Sequence, residues 1–136
     1  MDDHLTAMTR TAMPFAEVLG IEFESADPSG AVATVVWAPE RCTVGGVLHG
    51  GYLMAVADSV GALCASIHIP AGGKTGTIES KTNFMRPSTG GSLSVTSTPV
   101  HIGRTTIVVQ TDIVDEEGRL VTRTTQTQTI AQPVAM

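Results

Sequence analysis

Cysteine is scarce in this chain of 136 residues, which has only Cys42 and Cys64. Two cysteines cannot build a disulfide framework, and Cys64 lies in an apolar run where a thiol behaves as a small hydrophobic group. No cysteine pair and no Cys/His pair has the spacing of zinc ligands, so we expect no metal site. The first residues lack the basic start and apolar segment of a secretory signal. We therefore expect a reducing, cytoplasmic environment.

Positive charge is also scarce. Eight Lys and Arg residues against thirteen Asp and Glu residues give a net charge of −5, which argues against a nucleic-acid partner held through phosphate contacts. One segment differs, because residues 74–104 contain four basic side chains and a single acidic one, Glu79. This segment is either a solvated strand surface or a surface that attracts a small polyanionic ligand.

No apolar run is long and uninterrupted enough to predict a membrane span. The longest, residues 51–69, carries Asp58 near its middle, and a charge there costs about 2.5–3.5 kcal/mol in lipid. We therefore expect a buried helix and no membrane partner. Charged residues make up only 15% of the chain and apolar residues 42%, so we expect a second copy to cover some of the apolar surface.

The order of the elements predicts an α+β fold in one domain, residues 1–136. Residues 1–12 are expected to be loosely ordered, and 13–20 to form a short helix that starts at a proline and ends at a glycine. Residues 50–66 are apolar on nearly every face, as in a helix surrounded by protein. Six strands are predicted, over residues 21–25, 31–37, 75–85, 92–101, 104–114 and 119–130. Short connections after the third, fourth and fifth strands predict antiparallel pairing of each with the next.

Two features of the long helix carry chemistry. Asp58 is a carboxylate in an apolar helix, and because burying an unpaired charge costs several kcal/mol, it must reach a polar cleft, be paired or be protonated. Such a group is a candidate general base or nucleophile, or a structural Asp bonded to a neighbouring strand. At the helix start, His49-Gly50-Gly51 leaves free N–H groups that can polarise a carbonyl. The alternative there is a tight turn that needs glycine for its dihedrals.

These features together resemble the hotdog-fold acyl-CoA thioesterases, specifically the PaaI-type branch that acts on phenylacetyl-CoA and 4-hydroxybenzoyl-CoA. The resemblance rests on the segment Val47-Leu48-His49-Gly50-Gly51 with Asp58 nine residues after His49, and it extends over residues 13–131. It implies a hotdog fold, in which an antiparallel sheet wraps around one long central helix. It also implies hydrolysis of an acyl-CoA or aroyl-CoA thioester to free acid and CoA, with no metal or organic cofactor.

The resemblance also assigns roles to site residues. It implies that Asp58 activates water or attacks the thioester carbonyl, that the Gly50 N–H polarises this carbonyl, and that the Thr77 hydroxyl orients the water. The residues implied to bind the substrate are His49, Gly51, Thr43, Arg86, Pro87, Ser88, Gly103, Arg104 and Thr105. Arg86 suits CoA because its planar donors match a phosphate group. Thr43 departs from the family pattern, which has Asn or Gln six residues before the histidine. Two alternatives remain open. Thr77 is an ordinary strand residue, or Gly103, Arg104 and Thr105 form a plain hairpin turn.

The spacing of Gly50 and Asp58 predicts a shared site. Eight helical residues rise about 12 Å, whereas an attacking atom must come within about 3–3.5 Å of the carbonyl carbon. A second subunit with its helix antiparallel alongside would bring its Asp58 to this chain's Gly50, as similar thioesterases are described. We therefore expect a homo-oligomer, at least a dimer and more specifically a tetramer, with the site at a subunit interface.

Two other functions stay open from the sequence. A hotdog hydratase or dehydratase acting on a 3-hydroxyacyl thioester would share the helix and the cleft. A non-catalytic acyl-CoA binding module is suggested by Thr43. The side chains expected to line the acyl pocket include Met13, Phe15, Tyr52 and Met54.

Overall fold

The computed structural model describes residues 1–133. The helices are α1 (Asp3–Ala12), α2 (Pro14–Val18) and α3 (Gly50–Ser66), and two 3₁₀ turns, Pro39–Arg41 and Val44–Gly46, precede α3. The strands are β1 (Glu22–Asp27), β2 (Gly30–Val36), β3 (Lys74–Phe84), β4 (Ser92–Ile102), β5 (Thr106–Val114) and β6 (Leu120–Ala131). They form one antiparallel sheet in the order β1-β2-β4-β5-β6-β3. This arrangement confirms the predicted α+β fold with a sheet around one long helix.

Helix α3 forms the centre of the core and contacts all six strands. Its buried apolar side chains are Leu53, Val56, Ala57, Val60, Cys64 and Ala65, and they share one core with strand residues that include Val95, Ile107 and Val109. Several of the helix residues are small, which lets the sheet approach the helix backbone closely. The predicted helix over residues 50–66 is confirmed, and its first and last residues agree with the prediction. It is enclosed by the sheet, as expected of a helix that is apolar on nearly every face.

The N-terminal residues are not loosely ordered, and this expectation was wrong. Residues 3–12 form α1, which begins after Asp2, whose side chain accepts a hydrogen bond from the Leu5 N–H (2.9 Å). The buried Thr6 hydroxyl accepts from the Phe23 N–H (2.9 Å), and the Asp2 N–H donates to the Phe23 carbonyl (3.0 Å). Hydrogen bonds therefore attach α1 to the outer edge of β1, and Leu5 of α1 packs against the core.

The predicted pairing of the third and fourth strands was also wrong. Strand β3 pairs with β6, and β4 lies between β2 and β5. The connection, residues 85–91, instead packs beside the start of α3, where the Ser88 carbonyl accepts the Leu48 N–H (2.9 Å). The other predicted pairs, of the fourth strand with the fifth and of the fifth with the sixth, are confirmed.

Strand β6 places a row of polar side chains against the helix. The buried members of this row are Thr122, Thr124, Gln126 and Gln128. A polar strand face is seldom buried, because each group then needs a hydrogen-bond partner. The partners of Gln126 and Gln128, described below, lie at the candidate site. The Thr124 hydroxyl shares a hydrogen bond with that of Thr82 (2.7 Å), and the Thr122 hydroxyl has no partner within residues 1–133.

Cys42 and Cys64 are free thiols. Cys64 is buried, and burial raises the pKa of its thiol. The reducing, cytoplasmic environment stays a prediction.

Candidate active site

Asp58 lies in the third turn of α3, and its side chain is partly exposed. Its Oδ1 accepts two hydrogen bonds, from the Thr77 hydroxyl (3.0 Å) and from the Gln126 side-chain amide (2.9 Å). Within residues 1–133 its Oδ2 has no hydrogen-bond partner. One carboxylate oxygen therefore fixes Asp58, and the other is left for a water, a ligand or a proton.

Thr77 connects Asp58 to a second buried amide. The Thr77 Oγ1 accepts a hydrogen bond from the Gln128 side-chain NH₂ (2.7 Å), and the Gln128 Oε1 accepts one from the Thr75 hydroxyl (3.0 Å). Because a hydroxyl has one hydrogen to donate, the bond from Thr77 to Asp58 uses it. In this structure Thr77 positions the carboxylate, and only a lone pair of its oxygen is free for another group.

A β-bulge shapes the surface around Asp58. The pairing of β3 with β6 shifts register between Thr77 and Glu79, so Thr77 and Ser80 both face α3. Together with Met54, Ala55 and Asp58 they line an open hollow of about 270 Å³. The carboxylate is thus reachable from solvent in a single chain.

The start of α3 provides a free backbone donor. The His49 Nδ1 accepts the Gly51 N–H (2.8 Å), so a neutral imidazole carries its hydrogen on Nε2. The Gly50 N–H has no hydrogen-bond partner in the described part of the chain. A Cβ on Gly50 would lie 3.1 Å from the ring of Phe84, so a side chain there would crowd the ring and take up space beside the donor.

A groove leads from Gly50 along the end of β3. Its volume is about 420 Å³, and its lining consists of Val47, Leu48, Gly50, Leu53 and residues 84–88. Three of the predicted binding residues, Arg86, Pro87 and Ser88, therefore lie in the same groove as the Gly50 N–H. The Arg86 side chain is exposed and free to meet a ligand.

A second hollow, of about 390 Å³, lies on the other side of the helix start. Its lining consists of Val18, Leu19, Glu40, Arg41, Cys42, His49 and Tyr52. The Tyr52 hydroxyl donates to the Leu19 carbonyl (2.7 Å), and the Arg41 guanidinium lies 5.4 Å from the ring centre of Tyr52. These contacts hold α2 and the loop before α3 against the helix.

Thr43 lies in this loop and is exposed. Its N–H donates to the Val47 carbonyl (2.8 Å), and the turn between them uses Gly45 and Gly46 at φ values of 81° and 72°, which favour glycine. The loop holds Thr43 close to the helix start through its backbone. No hydrogen bond within residues 1–133 occupies the Thr43 hydroxyl.

A single chain does not bring all of the predicted residues together. Asp58 and Gly50 line different hollows. The turn at Gly103, Arg104 and Thr105 lies at the Ala131 end of β6, whereas Phe84 and the groove lie at the Thr122 end. Nine residue steps along β6 separate these ends, about 30 Å.

An apolar cavity of about 340 Å³ lies between α1 and the second half of α3. Its lining consists of Met8, Thr9, Ala12, Met13, Ala62, Leu63, Ser66 and Thr75. It adjoins Asp58, because Ala62 lies one helical turn after Asp58 and Thr75 two residues before Thr77. The four residues predicted to line the acyl pocket are not brought together. Met13 lines this cavity, Tyr52 lines the second hollow, Met54 lines the hollow at Asp58, and Phe15 lines none of the three.

Gln126 and Gln128 are the site residues that sequence reasoning missed. The available signal was the polar alternation of β6, which does not distinguish a solvated face from a buried one. Their side chains can be buried because Gln126 donates a hydrogen bond to Asp58 and Gln128 donates one to Thr77. These contacts depend on the tertiary fold.

Neither a metal cluster nor a membrane-spanning helix occurs in the part of the chain that the structure describes. Among residues 1–133 no group of three His, Cys, Asp or Glu side chains is arranged to hold a metal ion. The same residues include no helix with the length and apolar character needed to span a membrane.

Sequence comparison relates the chain to enzymes that act on thioesters. The profile of the thioesterase superfamily matches residues 45–122. A 1,4-dihydroxy-2-naphthoyl-CoA hydrolase from Escherichia coli is 32% identical over 75 residues, which are 55% of this chain and 55% of that protein.

Solved structures share the fold over most of the chain. A thioesterase from Haemophilus influenzae has a TM-score of 0.87 at 26% identity, covering 94% of this chain and 90% of that chain. A hypothetical thioesterase from Streptococcus pneumoniae, solved with coenzyme A, has a TM-score of 0.80 at 26% identity, covering 92% of this chain and 99% of that one.

Proposed function

Because this chain belongs to the thioesterase superfamily and is a thioester hydrolase, we propose that its substrate is an acyl-CoA or aroyl-CoA, as in the PaaI-type branch. We also propose that its active site forms at a subunit interface. The observation that carries this proposal is the Asp58 carboxylate. Thr77 and Gln126 hold one of its oxygens, and the residue lines an open hollow.

The proposed reaction uses Asp58 and the Gly50 N–H. Asp58 takes a proton from water as the water oxygen adds to the thioester carbon, and the Gly50 N–H donates to the carbonyl oxygen as it gains negative charge. The C–S bond then breaks, and the proton passes to the departing thiolate, which gives free acid and CoA. In the alternative form the Asp58 carboxylate attacks the carbon and the C–S bond breaks, which releases CoA as the thiolate. Water then hydrolyses the mixed anhydride to free acid and the Asp58 carboxylate, and the thiolate takes up the released proton. We propose that neither form needs a metal or organic cofactor.

The two sheet edges support a dimer through β3. Helix α1 covers the edge at β1 through hydrogen bonds to Ile21 and Phe23. The edge at β3 is unpaired within the described residues and exposes Ile78, Phe84 and Met85. A long open edge is a template for pairing with another chain. We propose that two β3 strands pair antiparallel about a two-fold axis.

Such a dimer would bring together two pairs of site features that are apart in a single chain: Asp58 with Gly50, and the turn at residues 103–105 with the Arg86 groove. It runs the two α3 helices in opposite directions, so Asp58 of the partner subunit approaches this chain's Gly50. The same operation carries the partner's turn at Gly103, Arg104 and Thr105 toward this chain's Arg86 groove, where the nucleotide part of CoA would bind. The tetramer remains a prediction.

The cavity between α1 and α3 is our candidate for the acyl pocket. It adjoins Asp58 on α3, and its lining is mostly apolar. Met8 and Met13 are flexible side chains that adapt to different shapes. The name of the Escherichia coli relative, a naphthoyl-CoA hydrolase, favours an aromatic acyl group, and medium straight chains are the second candidate.

The test is thiol release from short, medium and long acyl-CoAs and from phenylacetyl-CoA and benzoyl-CoA. We expect wild type to hydrolyse at least one ester and Asp58→Asn to lower kcat by about 10²- to 10⁴-fold. Asp3→Asn, a change of the same type on exposed α1, should leave kcat unchanged. Binding without thiol release would support the non-catalytic module. Loss of the enoyl absorbance of crotonyl-CoA without thiol release would support the hydratase.

Subunit mixing tests the shared site. We expect Asp58→Asn and Gly50→Val each to be inactive alone, since the Val side chain meets Phe84 and narrows the groove at the N–H. If each site takes Asp58 from one subunit and Gly50 from the other, half of the randomly mixed dimers contain one intact site, and about a quarter of the wild-type activity returns. No recovery would place both groups in one chain and contradict the interface proposal.

A further inference from the structure

Gln126 makes a contact with Asp58 that the proposed chemistry does not require. Its side chain is fully buried on β6, and its NH₂ group donates to the Asp58 Oδ1 at 2.9 Å. Glutamine is rarely buried completely. A buried amide beside the one partly buried carboxylate of α3 therefore needs a physical reason.

Gly61 makes room for this amide. A Cβ on Gly61 would overlap the Gln126 Oε1 and would lie 2.8 Å from its Cδ and 3.2 Å from Val109. Gly61 is in the interior of α3, where glycine is unfavourable because it loses the most backbone freedom on folding. The helix thus carries an unfavourable residue at the point where the Gln126 side chain passes along it toward Asp58.

The amide is satisfied at one end only. The Gln126 Oε1 is buried, and no donor within residues 1–133 reaches it. A half-turn of the amide would direct Oε1 at the Asp58 Oδ1 and leave the NH₂ group unpaired beside Gly61. Neither orientation satisfies both ends, whereas an apolar side chain of similar size would leave no unpaired atom. Gln126 and Gly61 therefore both oppose stability, and both serve the same contact.

We propose that Gln126 is a positioning residue for Asp58, admitted by Gly61. This inference rests on the proposed function of Asp58. With Thr77 and Gln126 both bound to Oδ1, the carboxylate is locked in one rotamer, and Oδ2 is the oxygen that takes the proton or attacks the carbon. Gln128, two residues after Gln126 on β6, holds Thr77 in the same way by donating a hydrogen bond to its hydroxyl oxygen.

The test pairs activity with stability in Gln126→Leu. We expect kcat to fall about 10- to 100-fold, as for a catalytic group displaced by about 1 Å, with KM changed by less than about threefold. The thermal midpoint should stay the same or rise, since an unpaired buried oxygen is removed. The matched control is Thr122→Val, because Thr122 is buried on the same face of β6 with an unpaired hydroxyl. It should keep wild-type kcat.

A second pair of variants does not depend on Gln126→Leu folding. Gly61→Ala alone should lower kcat to a similar extent, because the added Cβ displaces the amide. In a Gln126→Ala background the same change should cause no further loss, since the side chain that it displaces is gone.

The outcomes separate this inference from the function that it rests on. Wild-type kcat in both Gln126→Leu and Gly61→Ala would overturn the positioning role and leave the thioesterase intact. A lower thermal midpoint with unchanged kcat would make Gln126 purely structural. No thiol release by wild type would overturn both.

Discussion

The Arg10 guanidinium donates two hydrogen bonds to the carbonyl oxygen of Ile21, from Nε at 3.1 Å and from Nη2 at 3.0 Å. Arg10 lies in the last turn of α1, and Ile21 directly precedes β1. Because α1 also forms one wall of the apolar cavity, this contact links the order of the N-terminal helix to the shape of the proposed acyl pocket.

Arg10→Ala should therefore reduce stability. Loss of a charged donor from a partly buried carbonyl should lower the free energy of unfolding by about 1–2 kcal/mol, measured by urea denaturation. Arg86→Ala is the control, because Arg86 is exposed and outside the core, and it should change stability by less than about 0.5 kcal/mol. Equal losses in the two variants would show that the Ile21 contact carries no specific stabilisation.

The sequence predicted α3 well and α1 not at all, and the reason is the kind of contact each makes. Residues 50–66 are held by apolar burial, which leaves a long run of mostly apolar residues. Helix α1 is held by Thr6 and Arg10 through hydrogen bonds to backbone groups of the Ile21–Phe23 region, and of its apolar side chains Leu5 packs against the core. Leu5, Met8 and Ala12 recur at helical spacing after Asp2, but this short pattern is a weak signal beside the tertiary contacts that fix the helix.

The pairing of β3 and the role of β6 needed tertiary information. The seven residues 85–91 can span about 23 Å, so their number does not decide whether β3 pairs with β4 or with a more distant strand. Likewise Gln126 and Gln128 gain their roles only from Asp58 and Thr77. Asp58 itself was predictable, because a carboxylate within an apolar helix is too costly to bury without a partner or a polar cleft.

Ala62→Phe should narrow the range of acyl groups. Ala62 lines the apolar cavity one turn after Asp58, and a phenyl ring there fills volume that a large acyl group would occupy. We expect kcat/KM to fall about tenfold or more for long or aromatic esters and to stay within about threefold for acetyl-CoA. Ala7→Phe, on the exposed face of α1, is the control. A uniform loss for all esters would place the acyl pocket elsewhere.

Arg86→Ala should weaken binding of CoA esters and leave the chemical step unchanged. Arg86 lines the groove that starts at Gly50, and a free guanidinium there can pair with a phosphate. We expect KM to rise about 3- to 10-fold with kcat unchanged, and the difference from wild type to shrink as salt is added. Lys81→Ala is the control. It removes a charge from the face of β3 that points away from α3, and it should leave KM unchanged. An equal KM increase in both variants would indicate nonspecific attraction.

Tyr52 gives a spectroscopic test of the packing around the helix start. It is the one tyrosine in the sequence, so phenolate absorbance reports on this residue alone. Burial raises the pKa of Tyr52 above the usual 10.0, and the nearby Arg41 lowers it in part. The native titration midpoint should therefore lie above that of the urea-unfolded chain. Because the folded state holds this proton more tightly, the corresponding stability is fully present below about pH 10 and is lost as the pH rises through the native value.

Arg41→Met should move the native midpoint still higher by removing the positive charge. Equal native and unfolded midpoints would mean that water reaches the Tyr52 hydroxyl and that its contact with Leu19 is open in solution.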